Sequence, residues 1–379
     1  MHIGLFVKDF AVGKKFSKDG LPTKSGAEFH AENHAKQLIK RGNEVTIFAK
    51  KRYRFTKARE NIDGIDLVRL HAPFRWLEII IRFVTTHKNL DAVYILGTPK
   101  FSVWAILLAQ ILNIPTTLAL TGKAEIFDKN KNWRNKIFSK CTNYIALSNE
   151  IKKGFIDLAG INSKYINVLP QGINTQKFVV PTSEEKKQIR IRYGIGENEL
   201  VLLFCARVVI NKGIDTIMKV WPVIHQRFTT AKFVVVGGGQ TELIDEITEM
   251  GKQNDDSVLV IGEVDSPLLY YQMSDVYIFP SRHEGLPTTL MEAMSCGLPA
   301  VVSDIGGCED LVENGVSGYR VQTENINGYV EKITELFEDK KKRKDMGHNA
   351  TNFVRKNCDY ESVIWKLEEL VGGRRKSDS

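Results

Sequence analysis

Short apolar runs alternate with stretches of helical periodicity from one end of the chain to the other. That alternation constrains the fold more than any single motif. A strand that returns parallel to its predecessor needs a crossover long enough to hold a helix. In the first half the runs are His2–Val7, Glu44–Ala49, Ile65–Arg69, Ala92–Leu96, Thr116–Leu120, Tyr144–Ala146 and Ile166–Val168. In the second they are Leu200–Ala206, Ala231–Val236, Val258–Ile261, Val276–Phe279 and Ala300–Val302. Ala27–Arg41, between the first two, reads as a helix ended by Gly42. The expected class is α/β, built on doubly wound parallel sheets. At 379 residues the chain exceeds the usual limit for one core. The polar, turn-rich segment after Pro170 marks a boundary, giving domains 1–172 and 173–358. Residues 359–379 are then a final helix, able to pack back on the first domain, and a tail.

Doubly wound sheets bind ligands beyond the carboxyl ends of their strands, and the informative polar residues fall there. The segment FPSRHEGLPTTLMEAMSCGLPA sets Glu284 and Glu292 eight residues apart, across a turn that runs into a helix. Pro287, Thr288 and Thr289 have the character of a helix start, Thr as an N-cap and Pro for the first turn. A helix N-terminus attracts anions, yet carboxylates so close to it would repel a phosphate. Accepting hydrogen bonds from sugar hydroxyls would suit them. On spacing alone, a surface loop followed by a helix with a solvated Glu is an equal alternative. After the strand LVLLFCA, Arg207 and Lys212 stand five residues apart, with Gly213 opening the next helix. A planar fork and a point charge could together hold a diphosphate, or be ordinary surface cations. After the first strand, Ser25, Gly26 and Ala27 are small enough for backbone N–H groups to approach a phosphate. Neither the GxGxxG nor the GxxxxGK[ST] pattern is present, and a plain helix-entry loop is the commoner explanation.

The five cysteines lack CxxC spacing and fit reduced thiols better than disulfides or zinc, so no metal site is expected. The N-terminal MHIGLFVKDF reads as a strand rather than a signal peptide. Phe101–Ile114, the longest apolar stretch, is interrupted by Ser102, Gln110 and Asn113 and is too short to span a bilayer. A cytoplasmic protein is expected, free or peripheral at the inner face of the membrane. Residues 1–170 carry 28 Lys/Arg against 14 Asp/Glu, whereas the remainder carries 25 against 31. The first half therefore suits an anionic partner. Its segment His71–Lys88 mixes Phe74, Trp76, Leu77, Ile80, Ile81 and Phe83 with Arg75, Arg82 and Lys88. With Lys50–Arg59 it could lie against an anionic membrane surface, or form a core helix with a solvated basic side. Nucleic acid is not expected as a partner, since no recognition helix, aromatic RNA-binding strand or zinc pattern is present.

Arg207 and Lys212, followed by PSRHEGLPTTLMEAMSCGLPAVVSDIGGCEDLVENGVSGYRV, resemble the retaining GT-B glycosyltransferases of glycosyltransferase family 4. QGINTQKF is similar to the segment opening that family's second domain, and SGAEFHAENHAKQLIKRGNEVTIFA to its first loop and helix. The resemblance implies the GT-B fold: two Rossmann-like domains facing a cleft, the first for acceptor and the second for donor, with the C-terminal helix crossing to the first. It implies a nucleotide diphospho-sugar as donor, UDP-linked on family frequency, with no cofactor beside it and no metal. The activity implied is retaining hexosyl transfer to a glycan or lipid-linked acceptor in cell-surface polysaccharide or glycoconjugate biosynthesis. Carried onto this sequence, Arg207 and Lys212 stabilise the departing diphosphate, and Glu284 with Gly285, Leu286 and Pro287 addresses the donor sugar. Thr288 and Thr289 meet the phosphates, Glu292 accepts from the ribose hydroxyls, and Gly26 approaches the diphosphate.

One departure stands out. The family often has a His at the end of the strand matching Thr117–Leu120, where this chain has Thr121 and then Gly122. A hydroxyl is no base at neutral pH, so Thr121 is left with hydrogen bonding to sugar or acceptor. Two other readings share the fold. A UDP-sugar epimerase would need further acid/base residues, and a catalytically inactive GT-B subunit binding a partner or glycan would not need a leaving-group clamp.

Overall fold

The structure, a computed structural model, describes residues 1–10, 26–51, 57–71, 73–85, 89–120 and 132–373. It divides into two compact units, Met1–Gln171 with Tyr360–Ser379, and Gly172–Asp359. Among the described residues no helix is long and apolar enough to cross a membrane.

The first unit runs β1 (His2–Phe6), α1 (Gly26–Lys40), β2 (Glu44–Lys50), β3 (Arg59–Ile62), β4 (Ile65–Leu70), α2 (Arg75–Val84), β5 (Ala92–Leu96), α3 (Ser102–Ile111), β6 (Thr116–Leu120), α4 (Trp133–Phe138), β7 (Asn143–Ala146), α5 (Asn149–Ala159) and β8 (Ile166–Val168). Its strands form one sheet in the order β3-β4-β2-β1-β5-β6-β7-β8. The order reverses at β1, which pairs parallel with β2 on one side and β5 on the other. The sheet departs from the all-parallel expectation at one edge. There β3 runs antiparallel to β4, and Asp63 and Gly64, both with positive φ, close the hairpin. Fully buried Ile3, Leu5, Ile47, Leu67 and Tyr94 form one side of the core. On the other side Phe6 stacks on Phe48 at 4.6 Å.

The second unit runs α6 (Ser183–Arg192), β9 (Val201–Cys205), α7 (Ile214–Arg227), β10 (Lys232–Val236), α8 (Thr241–Lys252), β11 (Val258–Gly262), α9 (Leu268–Met273), β12 (Val276–Phe279), α10 (Thr288–Ser295), β13 (Ala300–Ser303), α11 (Gly306–Glu309), β14 (Gly318–Val321), α12 (Ile326–Glu338) and α13 (Lys340–Asn357). Its sheet is parallel, in the order β11-β10-β9-β12-β13-β14. The order reverses between β9 and β12, so the loops leaving those two strands open side by side. Asp275, just before β12, accepts from Lys186, Arg190 and the Val201 backbone N–H, tying α6 to the sheet.

The last helix, α14 (Tyr360–Val371), belongs to the first unit. Val363, Ile364, Leu367 and Val371 join that unit's core beside Ala31, Ala35 and Leu38 of α1. Thr117 and Asn143 side chains bond the Leu370 carbonyl at 3.1 and 2.9 Å, and Glu368 accepts from Arg41 and Asn43.

Candidate active site

The reversal in the second sheet brings together residues 72 positions apart. The β9 loop turns through one 3-10 turn, Ile210–Lys212, and the β12 loop carries Ser281 to Glu284. Lys212 Nζ and Glu284 Oε1 form an ion pair. Ser281 Oγ lies 2.9 Å from the same carboxylate oxygen and 3.1 Å from the Asn211 carbonyl. The Lys212 ammonium also stands 5.8 Å from the centre of the Phe279 ring. Gly213 is required where it stands. Its φ is +75°, and a Cβ there would lie 2.0 Å from the Pro280 carbonyl oxygen. The two loops are therefore in backbone contact directly behind the ion pair.

A second clamp joins the same loops. Arg282 donates to both carboxylate oxygens of Asp215 at 2.7 and 2.6 Å, to Glu324 at 2.8 Å and to the Ile210 carbonyl. Its backbone N–H bonds the Asn211 carbonyl at 3.0 Å. The Arg282 hydrogen bonds hold Asp215 below the usual carboxylate range. Sequence reasoning passed over Ser281, Arg282 and Asp215. Arg282 lies two residues before Glu284, but nothing in the spacing says that it reaches back to α7.

Glu292 sits deeper. Tyr271 Oη donates to its Oε2 at 3.0 Å, and burial pushes its carboxyl up to about 7, with Tyr271 and Lys177 pulling the other way. Tyr271 Oη is also 3.4 Å from Cys205 Sγ at the end of β9. Tyr277 Oη reaches both the Cys205 carbonyl and Thr289 Oγ1, each at 3.0 Å. Burial pushes both phenols well above their usual range, so they act as neutral partners.

The expected helix start needs one correction. Pro287, extended at ψ 113°, takes the N-cap place, and no side chain caps α10. Thr288 and Thr289 are its first two helical residues, so neither serves as an N-cap. Leu286 is buried, and Gly285 is pinned from behind. A Cβ on Gly307 of α11 would lie 2.5 Å from the Gly285 carbonyl oxygen. Arg207 is exposed on the β9 loop and has no side-chain partner among the described residues. Gly26 is the first residue of α1 in the other unit. Thr121 and Gly122 lie outside the described residues. Among the described residues no group of three or more His, Cys, Asp or Glu could hold a metal ion.

The β9 loop carries two cations, Arg207 and Lys212, the second already paired with Glu284, and α10 carries a further, protonatable carboxylate, Glu292. That set suits a ligand with a diphosphate between two hydroxyl-bearing groups. The family description "Glycosyl transferases group 1" matches residues 185–353, and "Glycosyltransferase Family 4" matches residues 24–177. The chain is 26% identical over 307 residues to the capsular polysaccharide biosynthesis glycosyltransferase CapM of Staphylococcus aureus, covering 78% of each chain. It is 28% identical over 293 residues to the N,N'-diacetylbacillosaminyl-diphospho-undecaprenol alpha-1,3-N-acetylgalactosaminyltransferase of Campylobacter jejuni, covering 73% of this chain and 76% of that one. Among solved structures, that of Anabaena HepE in complex with UDP superposes with a TM-score of 0.75 at 18% identity, over 97% of this chain and 98% of that chain. With both family descriptions matched and the fold shared, the chain belongs to glycosyltransferase family 4 and has the GT-B fold.

Proposed function

We propose that this glycosyltransferase is a retaining, metal-independent hexosyltransferase that uses a UDP-sugar and a glycan or lipid-linked acceptor. The observation that carries the reading is the Lys212–Glu284 pair at the reversal point of the second sheet, with Arg207 unpaired on the same loop. When the anomeric C–O bond breaks, negative charge passes to the nucleotide diphosphate. Arg207 and Lys212 meet that charge, in preorganised positions that water cannot match. Fixed cations take the part a divalent ion would otherwise play. The acceptor hydroxyl forms the new bond, and its proton leaves on the nucleotide diphosphate.

Glu284, braced by Ser281 and Lys212, accepts hydrogen bonds from the sugar, with the backbone of Gly285, Leu286 and Pro287 beside it. Thr288 and Thr289 contact phosphate at the α10 start, Glu292 takes the ribose hydroxyls, and Gly26 approaches the diphosphate. Thr121 and Gly122 contact the sugar or the acceptor. UDP is favoured because HepE was solved with it. A lipid-linked acceptor is favoured because the Campylobacter relative's substrate is a diphospho-undecaprenol. We place the enzyme in the cytoplasm, where the basic first unit meets an anionic membrane surface.

The test is nucleotide release from a panel of UDP- and GDP-hexoses with and without acceptor. Release from one donor that vanishes in Lys212→Ala and Glu284→Ala supports the transferase. Tight nucleotide binding with no turnover on any donor and acceptor would replace it with an inactive binding subunit.

A further inference from the structure

Two buried phenols converge on one residue of the second unit. β9 ends at Cys205, two residues before Arg207. Tyr271 of α9 places its Oη 3.4 Å from Cys205 Sγ and 3.0 Å from Glu292 Oε2. Tyr277 of β12 places its Oη 3.0 Å from the Cys205 carbonyl oxygen and 3.0 Å from Thr289 Oγ1. Both phenols are fully buried, and each ends on a residue of α10.

Each phenol has one proton to give, and burial keeps it on the oxygen. The Tyr271 proton goes to Glu292, because a carboxylate is a far stronger acceptor than a thiol sulfur. Cys205, pushed up to about 12 by burial, keeps its own proton and turns it toward the Tyr271 oxygen. Two donors therefore run in one direction, from Cys205 through Tyr271 to Glu292, and each polarises the next. The Tyr277 proton goes to the Cys205 carbonyl, which has none to offer, so the Thr289 hydroxyl donates back to Tyr277.

The Tyr271 ring is fixed on two sides. Phe178 packs against it edge-on at 6.0 Å between ring centres, and Tyr277 does so at 6.3 Å. Lys177, Cys205, Cys296 and Tyr277 are the other charged or titratable groups around Glu292. Among the described residues only Tyr271 hydrogen-bonds its carboxylate. Oε2 is thus held by a rigid donor, and Oε1 is left to a ligand hydroxyl.

We infer that Tyr271 is a positioning residue for the nucleotide: by fixing the Glu292 carboxylate, with Cys205 as its brace, it lets the site distinguish a ribose from a ring lacking the 2′ and 3′ hydroxyls. This rests on the reading of Glu292 as the acceptor for ribose hydroxyls. Without the Tyr271 hydroxyl, Glu292 must be oriented anew each time a ribose binds, while contacts to the rest of the nucleotide are unchanged.

The experiment is calorimetric binding of UDP and 2′,3′-dideoxy-UDP to the full chain at pH 8, where Glu292 is mostly ionised. The wild type should prefer UDP by about tenfold or more, the worth of hydrogen bonds to a charged group. Glu292→Ala should abolish that preference. Tyr271→Phe should cut it to about threefold or less, with dideoxy-UDP affinity unchanged. Tyr277→Phe removes an equally buried hydroxyl from the same Cys205 anchor, so it should shift both nucleotides alike and keep the wild-type ratio. Cys205→Ala should lower the ratio part of the way and Cys205→Ser restore it, and this pair decides the matter if Tyr271→Phe does not fold. A full UDP preference in Tyr271→Phe, or in Cys205→Ala where only that variant folds, overturns the proposal. So does an equal fall of the ratio in Tyr271→Phe and Tyr277→Phe, which would mean loosened packing. A preference that survives Glu292→Ala, or is absent from the wild type, would instead remove Glu292 from the ribose and sink the reading beneath the proposal.

Discussion

Lys212 and Glu284 are held as an ion pair by two loops that leave neighbouring parallel strands, 72 residues apart in the chain. Their side chains are only 16% and 11% exposed, so the pair is close to a buried one. Removing one partner strands the other charge, while removing both leaves a polar but neutral site. Lys212→Met and Glu284→Gln should each destabilise the second unit by about 1–3 kcal/mol. The double variant should recover most of that loss. Activity should behave differently, with each single variant losing about 10²–10³ in kcat and the double variant recovering none of it. Denaturant unfolding and nucleotide release on the same four proteins decide the matter. A double variant that regains turnover would mean the pair is structural only.

Arg282 should matter to turnover without touching ligand. It fixes the Lys212 loop through Asp215 and the Ile210 carbonyl while its own backbone belongs to the Glu284 loop. Arg282→Ala should lower kcat by roughly 10- to 100-fold, since a catalytic pair loosened by about an ångström loses that much. Arg282→Lys, unable to fork onto both Asp215 oxygens, should recover only part. Asp215→Asn should cost a similar factor, and the double variant no more than the worse single, because the two act as one clamp. Additive losses would show that the residues work separately.

Glu292 sets a pH dependence whose sign can be worked out. Its folded carboxyl is raised from 4.5 to about 7 by burial. Between those values the folded chain holds a proton that the unfolded chain has released, so stability falls as pH rises through that window. At pH 8 Glu292→Gln should be the more stable protein, by at most about 3 kcal/mol, and the gap should close near pH 4.5. Ligand binding should run the other way. A carboxylate accepts from ribose hydroxyls better than a protonated carboxyl does, so UDP affinity should rise from pH 6 to pH 8 in the wild type and stay flat in the variant. Parallel pH profiles would remove Glu292 from the nucleotide site.

The strand positions were legible because β-branched runs leave little choice. Ala92–Leu96, Thr116–Leu120, Ile166–Val168 and Val276–Phe279 coincide with the observed strands to the residue. Two strands escaped. Arg59–Ile62, sequence RENI, is a polar edge strand with no apolar run to announce it, although the Asp63-Gly64 turn after it was a usable hairpin signal. Gly318–Val321 is four residues long and mixes glycine and arginine into its apolar pattern. At the site, the residue types and their strand-end positions were readable, but the partnerships were not. That Lys212 meets Glu284, or that Tyr271 supports Glu292, depends on which strands become neighbours across the reversal, and spacing along the chain does not encode that. Arg207 is read as one of a pair with Lys212, yet among the described residues its side chain has no partner, while Lys212 is already paired with Glu284.

The first unit carries an acid-sensitive element of its own. His30 and His34 lie one turn apart on α1, both buried, and His34 Nδ1 is 3.1 Å from Tyr94 Oη on β5. Burial lowers their pKa values from 6.5 to about 3 and about 4. Below pH 6.5 the unfolded chain takes up protons that the folded one refuses, so stability is lost as pH falls from that value toward 4. At pH 5 each ring should have cost about 2 kcal/mol relative to pH 7.5. His34→Gln keeps a hydrogen-bonding side chain beside Tyr94 and does not titrate, so its stability should depend less steeply on pH than the wild type's. Because the second unit follows Glu292 in the opposite direction, the readout should be local. Amide exchange in β1, β5 and α1 at pH 7.5 and pH 5 isolates the first unit. Equal pH slopes for wild type and variant in those elements would show that His34 is not what makes this unit sensitive to acid.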